Sequence, residues 1–164
     1  MRKLIFGLLL IGASAVMAQS PIAPGEKQLN AGVGLSSFGV PLYVGVDLGV
    51  AQDLSVGGIF SYRKFSDGFA GTNFDWTLIV IGLNGNYHFD NILDMPSDWN
   101  LYAGLTLGYY IWSEPAGYAG NRASGLGLDA QVGTRYFLSK TFALNLELGG
   151  GTAAGGKFGI TKKF

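Results

Sequence analysis

Six ionisable side chains stand at alternate positions of extended segments and could pair with one another: the anions Asp47, Asp129 and Glu147 and the cations Arg63, Arg135 and Lys157. Lys163 adds a cation in the same phase. Inside an enclosed, low-dielectric wall a near balance of charge favours mutual pairing, as a structural polar core or as an ionic gate along a conduit. Glu147 and Lys157 are the expected pair, because they fall at similar height on adjacent segments. Catalysis has less to work with. The single histidine, His88, is followed by Phe89 and Asp90 and has no nearby serine in its phase, so it reads as a hydrogen-bonded filler rather than a general base. One histidine without other spaced ligands nucleates no metal site. Gly149–Gly151 and Gly155–Gly156 lack the Lys-Ser/Thr pair and the following helix of a phosphate loop, and read as a flexible hairpin tip. No catalytic, cofactor or metal residue is assigned.

The elements that position these groups are strands. From Lys27 onward polarity alternates with period two, which sends successive side chains to opposite faces. Leu42, Val44, Val46, Leu48 and Val50 share one face; Tyr43, Gly45, Asp47 and Gly49 share the other. Leu101 to Ile111, Leu126 to Val132 and Phe142 to Leu148 repeat the arrangement. Eight segments follow, at 27–35, 41–50, 54–65, 73–89, 99–112, 124–137, 141–149 and 157–164. Most have the roughly ten residues that a tilted membrane-crossing strand needs. Segment four carries a conflict: Trp76, Leu78 and Val80 share a phase with Asn84, Asn86 and His88, which a bulge near Gly82 or a protruding strand would resolve.

The chain of 164 residues has a mean hydropathy of +0.29 and 13% charged residues, too apolar for an ordinary water-facing surface. Arg2 and Lys3 precede an apolar run from Leu4 to Gly12 and the ending Val16-Met17-Ala18, the pattern of a secretory signal cut after Ala18. The division expected is a signal peptide at 1–18, a short periplasmic leader at 19–26 and a barrel at 27–164. Cleavage removes two cations and leaves nine against eleven anions, no basic footprint for nucleic acid. Zero cysteines exclude disulfides and lipoprotein anchoring. An open sheet edge cannot sit in hydrocarbon, so the first and last strands must pair. The fold expected is therefore all-β: a closed, eight-stranded antiparallel up-and-down transmembrane barrel behind a cleavable signal peptide.

Aromatic residues gather at segment ends, as in the interfacial girdles of barrels. Tyr62, Phe65, Phe74, Trp76, Trp112 and Tyr118 would form one rim, and Tyr87, Phe89, Trp99, Tyr136, Phe137, Phe142 and Phe164 the other. The last strand sets Phe158, Ile160 and the terminal Phe164 in one phase, which looks like the C-terminal insertion signal of outer-membrane proteins. With the signal peptide and strand count, residues 27–164 resemble the small outer-membrane β-barrel family that includes the OmpA transmembrane domain and OmpX. The resemblance implies periplasmic termini, a monomer in the cell outer membrane, contact with membrane lipids including lipopolysaccharide, and handling by periplasmic chaperones and the barrel-assembly machinery. It makes 36–40, 66–72, 113–123 and 150–156 outer loops, of which Ser113–Ala123, with Tyr118 and Arg122, offers the largest surface. Small inward residues such as Gly108 and Gly133 leave room for Tyr43, Tyr102 and Tyr110, so the lumen is expected to be packed and polar. The function expected is a non-enzymatic, structural or surface-interacting barrel. The alternatives are a narrow channel for small polar solutes, a lipid-modifying enzyme, and a secreted β-sandwich.

Overall fold

The computed structural model describes residues 22–36, 39–69, 72–113, 115, 123–153 and 155–164. The signal peptide at 1–18, the first residues of the leader, and Tyr118 and Arg122 of the long loop lie outside the described residues. Eight strands are present: β1 (Lys27–Leu35), β2 (Leu42–Ala51), β3 (Leu54–Phe69), β4 (Thr72–His88), β5 (Trp99–Ser113), β6 (Gly125–Ser139), β7 (Phe142–Gly151) and β8 (Gly155–Lys163). Each pairs antiparallel with the next, and β1 pairs with β8 from Gln28↔Lys163 to Leu35↔Gly156, closing the barrel. Closure satisfies the backbone groups an open edge would strand in lipid.

Side-chain direction separates this barrel from a water-soluble sandwich. The outward row of β2 is exposed although wholly apolar (Leu42, Val44, Val46, Leu48, Val50), and so are Leu105 and Leu107 on β5 and Leu128 on β6. Among the described residues sixteen polar or charged side chains are buried against nine hydrophobic ones. Apolar groups face out and polar groups face in, the reverse of a protein folded in water. The secreted-sandwich alternative does not fit this arrangement. Among the described residues no helix is long and apolar enough to cross a membrane.

Two boundaries differ from expectation. The expected loop at 66–72 is mostly strand, because the ladder continues through Ser66↔Asp75, Asp67↔Phe74 and Gly68↔Asn73. A Ser66 to Asp75 hydrogen bond of 2.6 Å and a Lys64–Asp75 contact of 3.6 Å link its two exposed strands. Pairing of β3 with β2 ends at Tyr62 and pairing of β4 with β5 begins at Thr77, so residues 63–69 and 72–76 project past their neighbours as a two-stranded ribbon. The leader, in turn, is part of the fold at its end. Ile22 is fully buried, Gly25 N–H donates to the Gly49 carbonyl at 2.9 Å, and Gly49 N–H donates to the Glu26 carbonyl at 3.0 Å.

Segment four is resolved by protrusion, with no bulge. The β4 register with both neighbours runs through Gly82 without a shift. Trp76, Leu78 and Val80 therefore point into the lumen with Asn86 and His88, and all five are buried. Leu78, Val80 and Tyr110 form an apolar cluster at the loop end, with Trp112 and Ala153 against it. This corrects the aromatic girdle: Trp76, only 1% exposed, and Trp112 are inward residues of the barrel mouth. Their rings meet edge to face, 6.4 Å between centroids, and Phe65 meets Trp112 likewise at 6.3 Å. Tyr62 faces outward near that rim. At the terminus end Trp99 and Tyr136 face outward as expected, with centroids 5.0 Å apart, and Tyr87 packs against Phe89. Phe137 turns inward instead and is buried.

Candidate functional site

Among the described residues buried polar chemistry concentrates in the lumen, and strand phase carries most of its groups there. Its centre is Asp47 on β2, whose carboxylate accepts hydrogen bonds from Gln28 (2.8 Å), Asn30 (2.8 Å) and Asn84 (2.9 Å). Arg135, arriving from β6 on another wall, completes the shell with an Nη2 contact of 3.2 Å. Its guanidinium lies 4.1 Å from the ring centroid of Tyr102 and donates from Nη1 to Asn100. Hydrogen bonds to the remaining atoms help a charge pair so deeply buried to persist, and three amides supply them to Asp47, while Arg135 Nε has no partner among the described residues.

Toward the loop end, the expected Glu147–Lys157 pair is present at 2.6 Å, directly across the β7–β8 ladder. Tyr102 donates its hydroxyl to the same Glu147 at 3.0 Å. Tyr43 donates to Asn145 at 2.8 Å, and Asn145 continues through Thr161 to Asn30. Tyr102 lies over Gly133, where a Cβ would run into its ring, and Tyr110 lies over Gly127 in the same way. Asp129 is held by the Tyr110 hydroxyl and the Ala153 backbone N–H. Lys163, at the opposite end, pairs with Glu26 of the leader at 3.2 Å. That partner was not foreseen, since the leader carried no strand signal.

His88 does have a serine within reach: Ser55 Oγ lies 2.9 Å from its Nε2, correcting the expectation that none stands nearby. The pair resembles a nucleophile and base, but the proton is in the wrong place. Asn100 presents Oδ1 to Arg135, so its amide N–H groups point at His88 Nδ1 (2.9 Å) and Asp90 (2.8 Å). Nδ1 is then an acceptor, and the ring proton sits on Nε2 and is donated to Ser55. A catalytic histidine needs the opposite tautomer, with Nε2 free to take the serine proton. Both side chains are also fully buried. Asp90, in the turn beyond β4, accepts from Asn100 and from the Leu101 N–H, and burial raises its carboxyl above the ordinary range.

Small cavities remain among the described residues of the lumen. A mid-lumen space of about 30 Å³ touches Asn30, Asp47, Asn84 and Arg135. A loop-end space of about 50 Å³ is lined by Arg63, Ser61, Val80, Tyr110 and Asp129, among others. Tyr43, Glu147 and Lys157 border both. The Asp47–Arg135 contact, 88 residues apart in sequence, borders the mid-lumen cavity.

No protein-family model matches the chain, and no curated protein sequence does either. Solved structures are similar in fold. The outer membrane protein OprG from Pseudomonas aeruginosa superposes with a TM-score of 0.70 at 12% identity, covering 89% of this chain and 99% of that one. The N-terminal β-barrel domain of Pseudomonas aeruginosa OprF gives 0.64 at 14% identity, over 86% and 98% of the two chains. Neisserial surface protein A gives 0.59 at 17% identity, over 84% and 93%. Closure, strand order, the inverted polarity and these likenesses agree: the chain has the fold of the small eight-stranded outer-membrane β-barrels.

Proposed function

We propose that this chain is an integral protein of a bacterial outer membrane, with periplasmic termini, and that it does not conduct ions. Its role is then structural or one of surface interaction, carried by the loop end and the β3–β4 ribbon. The observation that supports this best is the Asp47-centred knot, where groups from β1, β2, β4 and β6 meet across the lumen with buried hydrogen bonds. An eight-stranded barrel is narrow enough for side chains to fill it. The tautomer imposed on His88 argues against a hydrolytic role. The likeness to outer-membrane barrels, the signal-peptide pattern and the terminal Phe158, Ile160 and Phe164 favour the location. Lipopolysaccharide would then meet the apolar wall, and chaperones and the assembly machinery would deliver the chain.

One observation favours the channel reading. The two cavities meet at the Glu147–Lys157 pair, which could act as a gate if the knot below it opened. Planar-bilayer recording on purified, heat-modifiable protein separates the readings. We expect no stepwise conductance from the wild type; reproducible single-channel steps would overturn the closed barrel in favour of a channel.

A further inference from the structure

Among the described residues the lumen holds four inward cations, and three of them touch a carboxylate. Arg135 reaches Asp47 at 3.2 Å, Lys157 reaches Glu147 at 2.6 Å, and Lys163 reaches Glu26 at 3.2 Å. Arg63 is the exception. It is only 5% exposed, yet its one hydrogen bond among the described residues runs from Nη1 to Ser36 Oγ at 3.0 Å. Its Nε is buried without a partner. The nearest acid in charge terms, Asp129, is already engaged by the Tyr110 hydroxyl and the Ala153 N–H. A guanidinium so buried and so little compensated is costly unless an anion meets it.

The cavity that Arg63 lines can supply that anion. Its volume of about 50 Å³ corresponds to roughly three to five water positions. This suits one small oxyanion and not an oligosaccharide. Ser36, Ser61 and Lys157 face the same space, so hydroxyl and ammonium donors accompany the free edge of the guanidinium. A planar guanidinium matches two oxygens of a carboxylate, sulfate or phosphate at once. We propose that the loop-end cavity is a binding site for a small oxyanion, with Arg63 as its principal ligand. The ion could be free in solution or be the phosphate of a lipid headgroup reaching in from the outer leaflet.

The test is an NMR titration of the folded protein in lipid-free detergent micelles, following arginine Nε–H signals while sodium phosphate or sodium sulfate replaces sodium chloride at constant ionic strength. We expect a saturable shift of the Arg63 signal with no comparable shift at Arg135. Binding, followed in every variant through the backbone N–H signals of the lining residues Ser61 and Gly156, should weaken at least tenfold in Arg63→Gln and be partly restored in Arg63→Lys. Asp129→Asn, which removes the one acid facing the site unpaired by a cation, should tighten it. A parallel sample in nanodiscs containing lipopolysaccharide identifies the source: a shift that appears only there assigns the site to a lipid phosphate. A linear, unsaturable drift in every sample, or a saturable response unchanged in Arg63→Gln, would mean an adventitious ion only and overturn the proposal. The readout is independent of conductance, so it can fail while the closed-barrel reading stands.

Discussion

Replacing Asp47 by alanine removes the acceptor on which four donors converge, three of them buried. Each hydrogen bond to a charged group contributes about 1.5–3 kcal/mol, and orphaning one member of a buried ion pair costs about 3–5 kcal/mol. These figures do not add, because the donors share two oxygens and the adjacent mid-lumen space of about 30 Å³ lets water reach some of them. The expected loss is therefore about 3–5 kcal/mol, dominated by the stranded Arg135 guanidinium. Reversible urea unfolding of the barrel in phospholipid vesicles, followed by tryptophan emission, measures it directly as a lower midpoint at unchanged slope. The decisive comparison is Asp47→Ala with Arg135→Met. Removing both charges should cost less than removing Asp47 alone, since no buried ion is then left unpaired. A single-variant loss below about 1 kcal/mol, or strict additivity of the two changes, would refute the view that this pair organises the lumen.

The three tryptophans offer a second measurement, because the strand phase puts only Trp99 on the outer wall. In single-tryptophan variants reconstituted with brominated lipid, Trp99 should be quenched strongly, and Trp76 and Trp112 weakly; equal quenching of all three would reject their inward placement. A third concerns packing. Gly133→Ala drives a methyl group into the Tyr102 ring and disturbs its hydrogen bond to Glu147, an overpacking cost of about 1–3 kcal/mol. Gly85→Ala adds the same methyl where no atom lies within 4 Å and should change stability by less than about 0.5 kcal/mol. Parallel urea titrations of the two variants check both, and similar losses would count against tyrosine stacking on Gly133.

The strands were legible because a barrel wall in lipid imposes one rule on each of them. Every second residue must be apolar, so period two survives wherever the wall meets hydrocarbon. All eight segments lie within a few residues of the observed strands. The largest departure, β3, arose because Ser66, Asp67 and Gly68 have the composition of a turn. Nothing in lipid constrains residues above the membrane, and cross-strand pairing there is a property of two strands that one segment does not display.

Pair contacts in the lumen divide on the same principle. Glu147 and Lys157 face each other across one hairpin, so counting residues from the turn sets both at one height. Asp47 and Arg135 come from β2 and β6, so their heights depend on the registers of intervening strands, which no local pattern encodes; Ser55, on the strand beside His88, stands opposite Asn86 and meets the ring two positions on, a diagonal contact that phase alone does not specify. Sequence phase thus says which residues enter the lumen and leaves open which of them meet. The aromatic residues expose the limit of phase itself. At the terminus rim Trp99 and Tyr136 face outward and touch, an arrangement compatible with the girdle rule. Where β3 and β4 outrun the wall, the inward side becomes the drier one, and Phe65, Trp76 and Trp112 pack over the mouth with Leu78 and Val80 beneath. An aromatic at a strand end marks an interface only if the strand ends at the membrane, and here the longest hairpin does not.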